Sequence, residues 1–531
     1  MPHTRRNCVT EWSLESGQGY ADPFNDVTVD VAVTGPDGAE QIVPTFWRGD
    51  RTWTVRYAAS AVGEYGWRSV CSDETNADLH GREGSVTVTE YDGSNPLLQH
   101  GAVRPSQNRR FLEHDDGTPF LWLGDTWWMG LCRRLGWPGD FQALAADRVA
   151  KGFNVVQIVA GIYPDMDGFE PRAANEAGHP WDDDFTSVNP EYFDNADHRI
   201  HHLVSQGLMP CVVACWGYYL PQMGVEKMKQ HWRHLIARYG AYPVVWCVAG
   251  EAGMPYYLTK TREEDMAFQV EGWTDLTRYV RETDPYGRLV TIHPRSTSRE
   301  EVNDTSVLDM DMLQTGHGDR DSIPNTYRRA AAAQTAEPRM PWINSEVCYE
   351  GIGEACRQEV QRFMYWSCML AGACGHTYGA NGIWQVNGRA EPYGPSPHGM
   401  SWGDTPWDEA MQLPGSAQLG IGKGLLERLD WSAFEPQPDW VQPHATQDRP
   451  VAPYAAGIPE RTRVYYLPRG VWGVTFTGLE ADTTYRACLF NPVNAAERDL
   501  GAARGDADGA WKIPLPGAPL LQDWVVVMDA E

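Results

Sequence analysis

FLWLGDTWW at residues 120–128 is an apolar run of strand length that closes on an acid and two indoles. Seven further runs share its texture: FNVVQIVA (153–160), LMPCVVACW (208–216), PVVWCVAGE (243–251), RLVTIHP (288–294), VLDMDMLQT (307–315), PWINSE (341–346) and GACGHTYG (372–379). Strands apolar throughout are strands buried on both faces, as in a parallel sheet covered by helices. Helical stretches with a 3.6-residue apolar period lie between them, including 140–152, 191–207, 228–240, 268–284 and 358–372, while the fifth and sixth connections are weakly marked. Eight such strands alternating with helices predict an α/β fold, a (β/α)8 TIM barrel over residues 101–431. A doubly wound open sheet is the structural alternative, but no Gly-rich phosphate loop supports it.

Outward from the barrel the pattern changes to short alternating strands. VTVDVAV, TWTVRYAA, YGWRSV and GSVTVTEY, separated by turn clusters such as GPDG, predict an N-terminal Ig-like β-sandwich over 1–100. TRVYYLP, VWGVTFTG, TYRACLF, AWKIPLP and DWVVVMD predict a second, smaller β-sandwich over 432–531.

The 531 residues carry a formal charge of −27, which repels phosphate backbones and anionic lipid. We therefore expect no nucleic acid and no membrane partner; a homo-oligomer stays open. No stretch approaches the roughly 18 apolar residues of a membrane span. MPHTRRNCVTEW shows no apolar run after its arginines, so a cytoplasmic location is expected. Eleven cysteines without a C-x-x-C pair read as buried thiols in a reducing compartment. The 23 tryptophans suit stacking on sugar rings as well as core packing.

In a barrel, chemistry sits at the C-terminal strand ends. Those ends supply Asp125, Trp127 and Trp128; Trp216, Tyr218 and Tyr219; Glu251; His293; Gln314 and His317; Glu346; and His376, Tyr378 and Asn381. Two carboxylates on strands four and seven, ringed by aromatics, match the needs of glycosidic cleavage. Glu251 leaves an apolar run that favours its protonated form and is read as the general acid/base. Glu346 follows Asn344 and Ser345 on a more polar strand end and is read as the nucleophile, with Glu350 as its rival. The remaining strand-end residues are candidate sugar contacts. His198, His201 and His202 beside Asp194 and Asp197 could bind a metal but read better as a solvated helix face; Asp165, Asp167 and Asp182 to Asp184 could hold a divalent cation but read better as an acidic, exposed loop after strand two with a role in shaping the pocket. No metal and no cofactor are expected.

PFLWLGDTWW, RVAKGFNVVQ, YFDNADHRIHHLVSQGLMPCVVACWGYY, HWRHLIARYGAYPVVWCVAGE and PWINSEVCYEG together resemble the apiosidase-like (DUF4038-type) glycoside hydrolases. The first 100 residues resemble the DUF5060 sandwich that precedes such barrels, and the last 100 a small sandwich of collagen-binding type. The resemblance implies a retaining glycosidase with Glu251 as acid/base, Glu346 as nucleophile and Asp125 on the pocket floor; a single barrel pocket walled by the flanking sandwiches suits exo action on an oligosaccharide or small glycoside. Better-known members of the family end strand four in Gly-Gly-Asp and the wider retaining group places Asn before its acid, whereas this chain has Ala249-Gly250-Glu251, so the family name is not read as the substrate. A barrel that only grips glycan, and a metal-dependent hydrolase, are the alternative functions.

Overall fold

The computed structural model describes residues 3–471, 473–514, 519 and 521–531. Its centre is one sheet of eight strands: β1 Trp122–Trp127, β2 Val155–Ile162, β3 Met209–Cys215, β4 Val245–Cys247, β5 Val290–Thr291, β6 Asp311–Gln314, β7 Trp342–Glu346 and β8 Gly375–Tyr378. Sequential neighbours from β1 to β5 and from β6 to β8 pair in parallel, and β8 pairs with β1. Between β5 and β6 the barrel closes through single bonds instead of a ladder: the Asp309 amide donates to the Val290 carbonyl (2.9 Å) and the Thr291 hydroxyl to the Met310 carbonyl (2.9 Å). All eight runs picked out in the sequence hold a barrel strand; seven strands are shorter than their runs, and β2 equals its run in length but lies two residues further along the chain.

Helices α1 Gly139–Ala150, α2 Pro190–Ser205, α3 Val225–Tyr239, α4 Arg262–Thr283, α5 Ile323–Thr335, α6 Gln358–Leu370 and α7 Pro414–Glu427 surround the sheet. Helix α2 starts where Asn189 caps the Tyr192 amide and Pro190 fills the first turn, and it buries Tyr192, Phe193, Ala196, Ile200 and Leu203 at helical spacing. Among the described residues no α-helix follows β5. The chain instead runs through 3₁₀ turns at Ser298–Glu300 and Thr305–Val307, because Asp311 at the start of β6 accepts from the Thr297 hydroxyl (2.7 Å) and the Ser298 amide (3.0 Å). The sixth connection, equally weak in sequence, is the regular helix α5.

Before the barrel, a five-stranded sheet (His3–Arg5, Glu83–Thr89, Gly63–Cys71, Val29–Thr34, Glu40–Pro44) faces a three-stranded one (Thr10–Glu15, Thr52–Tyr57, Phe46–Gly49). Val31, Val33, Val55, Tyr57, Val86 and Val88 fill the space between them. This layer is bonded to the barrel: Arg56 reaches Asp197 on α2 (2.5 Å) and the Arg238 carbonyl (2.9 Å), and Arg233 on α3 reaches Asp30 (2.5 Å). After the barrel comes a six-stranded sheet rather than two balanced ones, faced by a ribbon of Val441–Gln442 paired with Thr475–Phe476. Two of its strands, Tyr454–Ile458 and Glu497–Ala503, lack the alternation that marked the others in sequence. In AWKIPLP only a bridge from Trp511 to Phe476 forms; residues 515 and 516, like Trp472 in VWGVTFTG, lie outside the described residues. The buried pair of Arg362 on α6 with Asp523 (2.8 and 2.6 Å) ties this sheet to the barrel. No helix among the described residues is long and apolar enough to cross a membrane.

Candidate active site

Glu251 and Glu346 open into one cavity of about 270 Å³ at the C-terminal strand ends, lined also by Trp128, Trp216, His317, Tyr349, Trp384 and Trp402. A larger hollow of about 610 Å³ lies at the seam between the N-terminal sheets and the barrel, away from the strand ends. The smaller cavity is the one with paired carboxylates, and it lies where barrel chemistry belongs.

Each carboxylate has its own set of partners. Glu346 accepts from two imidazoles, with His293 Nε2 at 2.7 Å from Oε2 and His317 Nε2 at 2.9 Å from Oε1. Burial acts to raise the Glu346 carboxyl, but the bonds and positive charge of His293 and His317 outweigh it and hold the group down at about 2. Burial acts to lower His317, and its bond to Glu346 more than offsets this, so that imidazole is held above its ordinary value. His293 is fixed from behind, its Nδ1 lying 3.2 Å from the Ser345 hydroxyl, which itself donates to the Leu313 carbonyl.

Glu251 accepts from Trp216 Nε1 (3.1 Å) and Gln314 Nε2 (2.9 Å). Burial, and then the negative charge of Glu346, push its carboxyl above the usual value, and these two neutral donors do not reverse the shift. Its backbone has φ of 40°, a left-handed conformation costly for a residue with a side chain and typical of residues held for a task. Gly250 explains the absence of the Asn usual before the acid: a Cβ there would sit 2.2 Å from the Trp216 ring. The indole that donates to Glu251 occupies the space that side chain would need.

The other sequence candidates divide into those at the cavity and those behind it. Trp128 lies edge-on to Trp216 at 5.3 Å and donates to the Tyr349 hydroxyl (2.7 Å). Asp125 is not on the pocket floor: its carboxylate turns outward to Arg148 (2.5 Å), both side chains being fully buried, and also accepts from Trp127 Nε1 (2.8 Å). Trp127 packs on Phe141 of α1. Successive residues of a strand point to opposite sides, so Trp127 shares the outward face of Asp125. Tyr218 and Tyr219 are buried and both donate to the Met166 carbonyl (2.8 and 3.2 Å), anchoring the loop after β2. His376 is enclosed against Tyr365 of α6, where burial pushes it down to about 3. Tyr378 donates to Glu350 (2.6 Å), which also accepts from the Gly415 amide at the start of α7. Glu350, the rival of Glu346, therefore caps a helix, with burial raising its carboxyl to about 6. Asn381 acts at one remove, donating to the Trp402 carbonyl (2.6 Å) and accepting from Trp384 Nε1 (3.3 Å), both residues of the cavity wall.

Sequence reasoning missed Tyr349, which stacks between His317 (4.8 Å) and Trp384 (5.9 Å), together with Tyr257, Trp384, His398 and Trp402. All lie in loops beyond strand ends. The GHTYGAN…W spacing after β8 was the available signal for Trp384, whereas nothing local marked His398 or Trp402. Around α2, Asp197 lies between Arg56 and Arg238, His198 stacks on Trp137, and His201 meets Tyr242, so this cluster joins elements of the fold. No group of three or more His, Cys, Asp or Glu gathers at metal-binding spacing among the described residues.

This is a barrel glycoside hydrolase, an O-glycosyl hydrolase acting on carbohydrate. Residues 106–433 match the apiosidase-like catalytic domain, more than half of the chain, and the chain belongs to that family. Residues 6–72 match a domain of unknown function, DUF5060. Among solved structures it is similar to one described as a glycoside hydrolase (22% identity, TM-score 0.67, covering 82% of this chain and 98% of the other). A glycoside hydrolase family 5 protein from Bacteroides vulgatus ATCC 8482 gives 22% identity and a TM-score of 0.66 over 82% and 95%. A further Bacteroides vulgatus protein aligns over the full length of both chains at 16% identity with a TM-score of 0.72. No curated protein matches the chain.

Proposed function

We propose that the protein is a retaining exo-glycosidase that removes a terminal sugar by a two-carboxylate mechanism, its catalytic barrel spanning residues 101–431. The observation that carries this reading is the opposite tuning of two acids in one cavity, Glu346 down to about 2 and Glu251 upward. A nucleophile has to be ionised and a general acid protonated at the same pH, and paired groups whose surroundings drive them apart meet that need. Glu346 attacks the anomeric carbon while Glu251 protonates the departing oxygen; Glu251 then takes a proton from water, which attacks the same carbon and releases the sugar from Glu346. The cavity, about 270 Å³, is smaller than the roughly 300–1,000 Å³ usual for drug-sized ligands, which favours one sugar ring at a chain end.

The test is a panel of aryl glycosides in both anomeric forms, with proton NMR of the first-formed product. Release with retained configuration is expected, and inversion would remove the covalent step. On a substrate found in this way, Glu251→Ala should lose most activity when the leaving group is poor and much less when it is activated, with azide restoring turnover.

The same tuning fixes the pH profile. Glu346 ionises near pH 2, so its limb lies far to the acid side, and kcat/KM should fall on the alkaline side as Glu251 loses its proton above the ordinary Glu range. Activity is therefore expected to be greatest in mildly acidic solution. Because the folded-state value of Glu346 lies below its unfolded value, its contribution to stability is present above about pH 4.5 and is lost as pH falls toward 2. Rate profiles and denaturation midpoints across pH check both limbs.

A further inference from the structure

A third carboxylate faces this cavity and has no part in the chemistry above. Asp165 follows β2, is 4% exposed, and lines the same cavity as Glu251 and Glu346. Its Oδ2 is enclosed with no hydrogen-bond partner, while the Ser396 and Trp402 side chains and the charge of His398 act on the carboxyl without offsetting its burial. Leaving a buried carboxylate oxygen unmatched is costly, so a fold that retains one at a binding cavity holds it for something that arrives.

The protein builds this position deliberately. Asp165 has φ of 61°, in the left-handed region. The Tyr218 hydroxyl lies 3.2 Å from the Tyr163 carbonyl and 2.8 Å from that of Met166, on either side of it in sequence, and the Tyr219 hydroxyl adds a second bond to Met166. The nearby cation, Arg172, is committed to Glu170 and lies over the Tyr393 ring at 4.5 Å. Among the described residues, no lysine or arginine lines the cavity, the two imidazoles bonded to Glu346 are already matched by it, and a third imidazole, His398 of the cavity wall, has its charge spent on Asp165.

We propose that Asp165 is the sugar-recognition residue of this site and selects a neutral sugar, accepting from two adjacent hydroxyls of the terminal ring with its carboxylate. The inference rests on the glycosidase reading of the same cavity and names its substrate class. A hydroxyl pair supplies two donors without adding charge. A uronic acid or sulfated sugar would bring an anion into a cavity already lined by Glu251, Glu346 and Asp165, where it would compete with Asp165 for His398, an imidazole of the wall that Glu346 does not hold.

The test measures binding as well as turnover. Glu346→Gln protein is titrated, by its tryptophan fluorescence and by calorimetry, with the neutral, uronic-acid and 2-amino forms of each sugar in a panel of free monosaccharides. The neutral form should bind at least about tenfold more tightly than the uronic acid and no more weakly than the amino sugar, whose ammonium gains only if it replaces a hydroxyl on Asp165. Asp165→Asn added to this background should weaken the neutral form by roughly 10- to 100-fold, as expected for loss of hydrogen bonds to a charged acceptor. A deoxy sugar lacking one of the paired hydroxyls should lose much less on the same substitution. Tighter binding of the uronic acid or amino sugar, or an equal effect of Asp165→Asn on parent and deoxy sugar, overturns the proposal. If Asp165→Asn does not fold, the preference among the three forms in the Asp165 protein decides. The two readings fail separately: with no glycoside cleaved, the titration still judges Asp165, and cleavage of a uronide with retained configuration refutes Asp165 selection while leaving the mechanism standing.

Discussion

Glu346→Gln is expected to lower kcat by on the order of 10⁴- to 10⁶-fold, the scale seen when a covalent nucleophile is removed from an otherwise intact site. The amide occupies nearly the same volume but cannot form the glycosyl ester. It also removes the negative charge that holds His317 above its ordinary value, so that imidazole should titrate lower in the variant, a shift visible by NMR. The fold should survive, because Ser345 still holds His293 from behind. An activated 2-deoxy-2-fluoro glycoside of the sugar that is cleaved should leave a stable ester on the wild-type protein, detected as added mass, and none on the variant. Loss of less than about tenfold in kcat would take Glu346 out of the mechanism, because transition-state contacts alone do not replace a missing nucleophile.

The two glutamates were visible in the sequence because both end apolar strands, and a barrel leaves little freedom over where a strand end points. The same logic placed Trp128 and Trp216 correctly at the cavity and misplaced Asp125 and Trp127. Knowing that a residue ends a strand does not say which side of the sheet it faces; period two decides that, and in GDTWW every residue is of a type suited to either side. His376 failed for the same reason. Tyr349, Trp402 and His398 escaped because they reach the cavity from loops, whose course is set by tertiary bonds such as Asn381 to the Trp402 carbonyl and not by local pattern. The first-end sandwich was legible from its alternating strands, whereas Glu497–Ala503 is exposed along most of its length and so carried no alternation to read.

Breaking the Asp125–Arg148 pair should destabilise the protein by about 3–5 kcal/mol, the range for stranding one member of a buried ion pair. Both side chains have 0% exposure. Arg148→Ala leaves the Asp125 carboxylate with only the Trp127 indole and the Thr126 amide, neutral donors that do not balance its charge. It also removes one of two donors to the Met411 carbonyl, the 3.1 Å bond from Arg148 Nη1, leaving Lys151 Nζ at 2.6 Å to hold the approach to α7. Asp125→Leu leaves the guanidinium with Asp147 as its remaining acid and should cost less than Arg148→Ala. The double variant Asp125→Leu/Arg148→Met should recover most of the loss, since two apolar side chains of similar volume replace two charges that no longer need desolvation. Urea denaturation of the two single variants and the double variant measures the coupling directly. KM and kcat per folded molecule should stay within about threefold of wild type in the double variant, because removing an ion pair away from the cavity leaves transition-state contacts intact. A large rise in KM with unchanged stability would instead return Asp125 to the substrate, and would require a turn of β1 that its hydrogen bonds to Trp127 and Arg148 oppose.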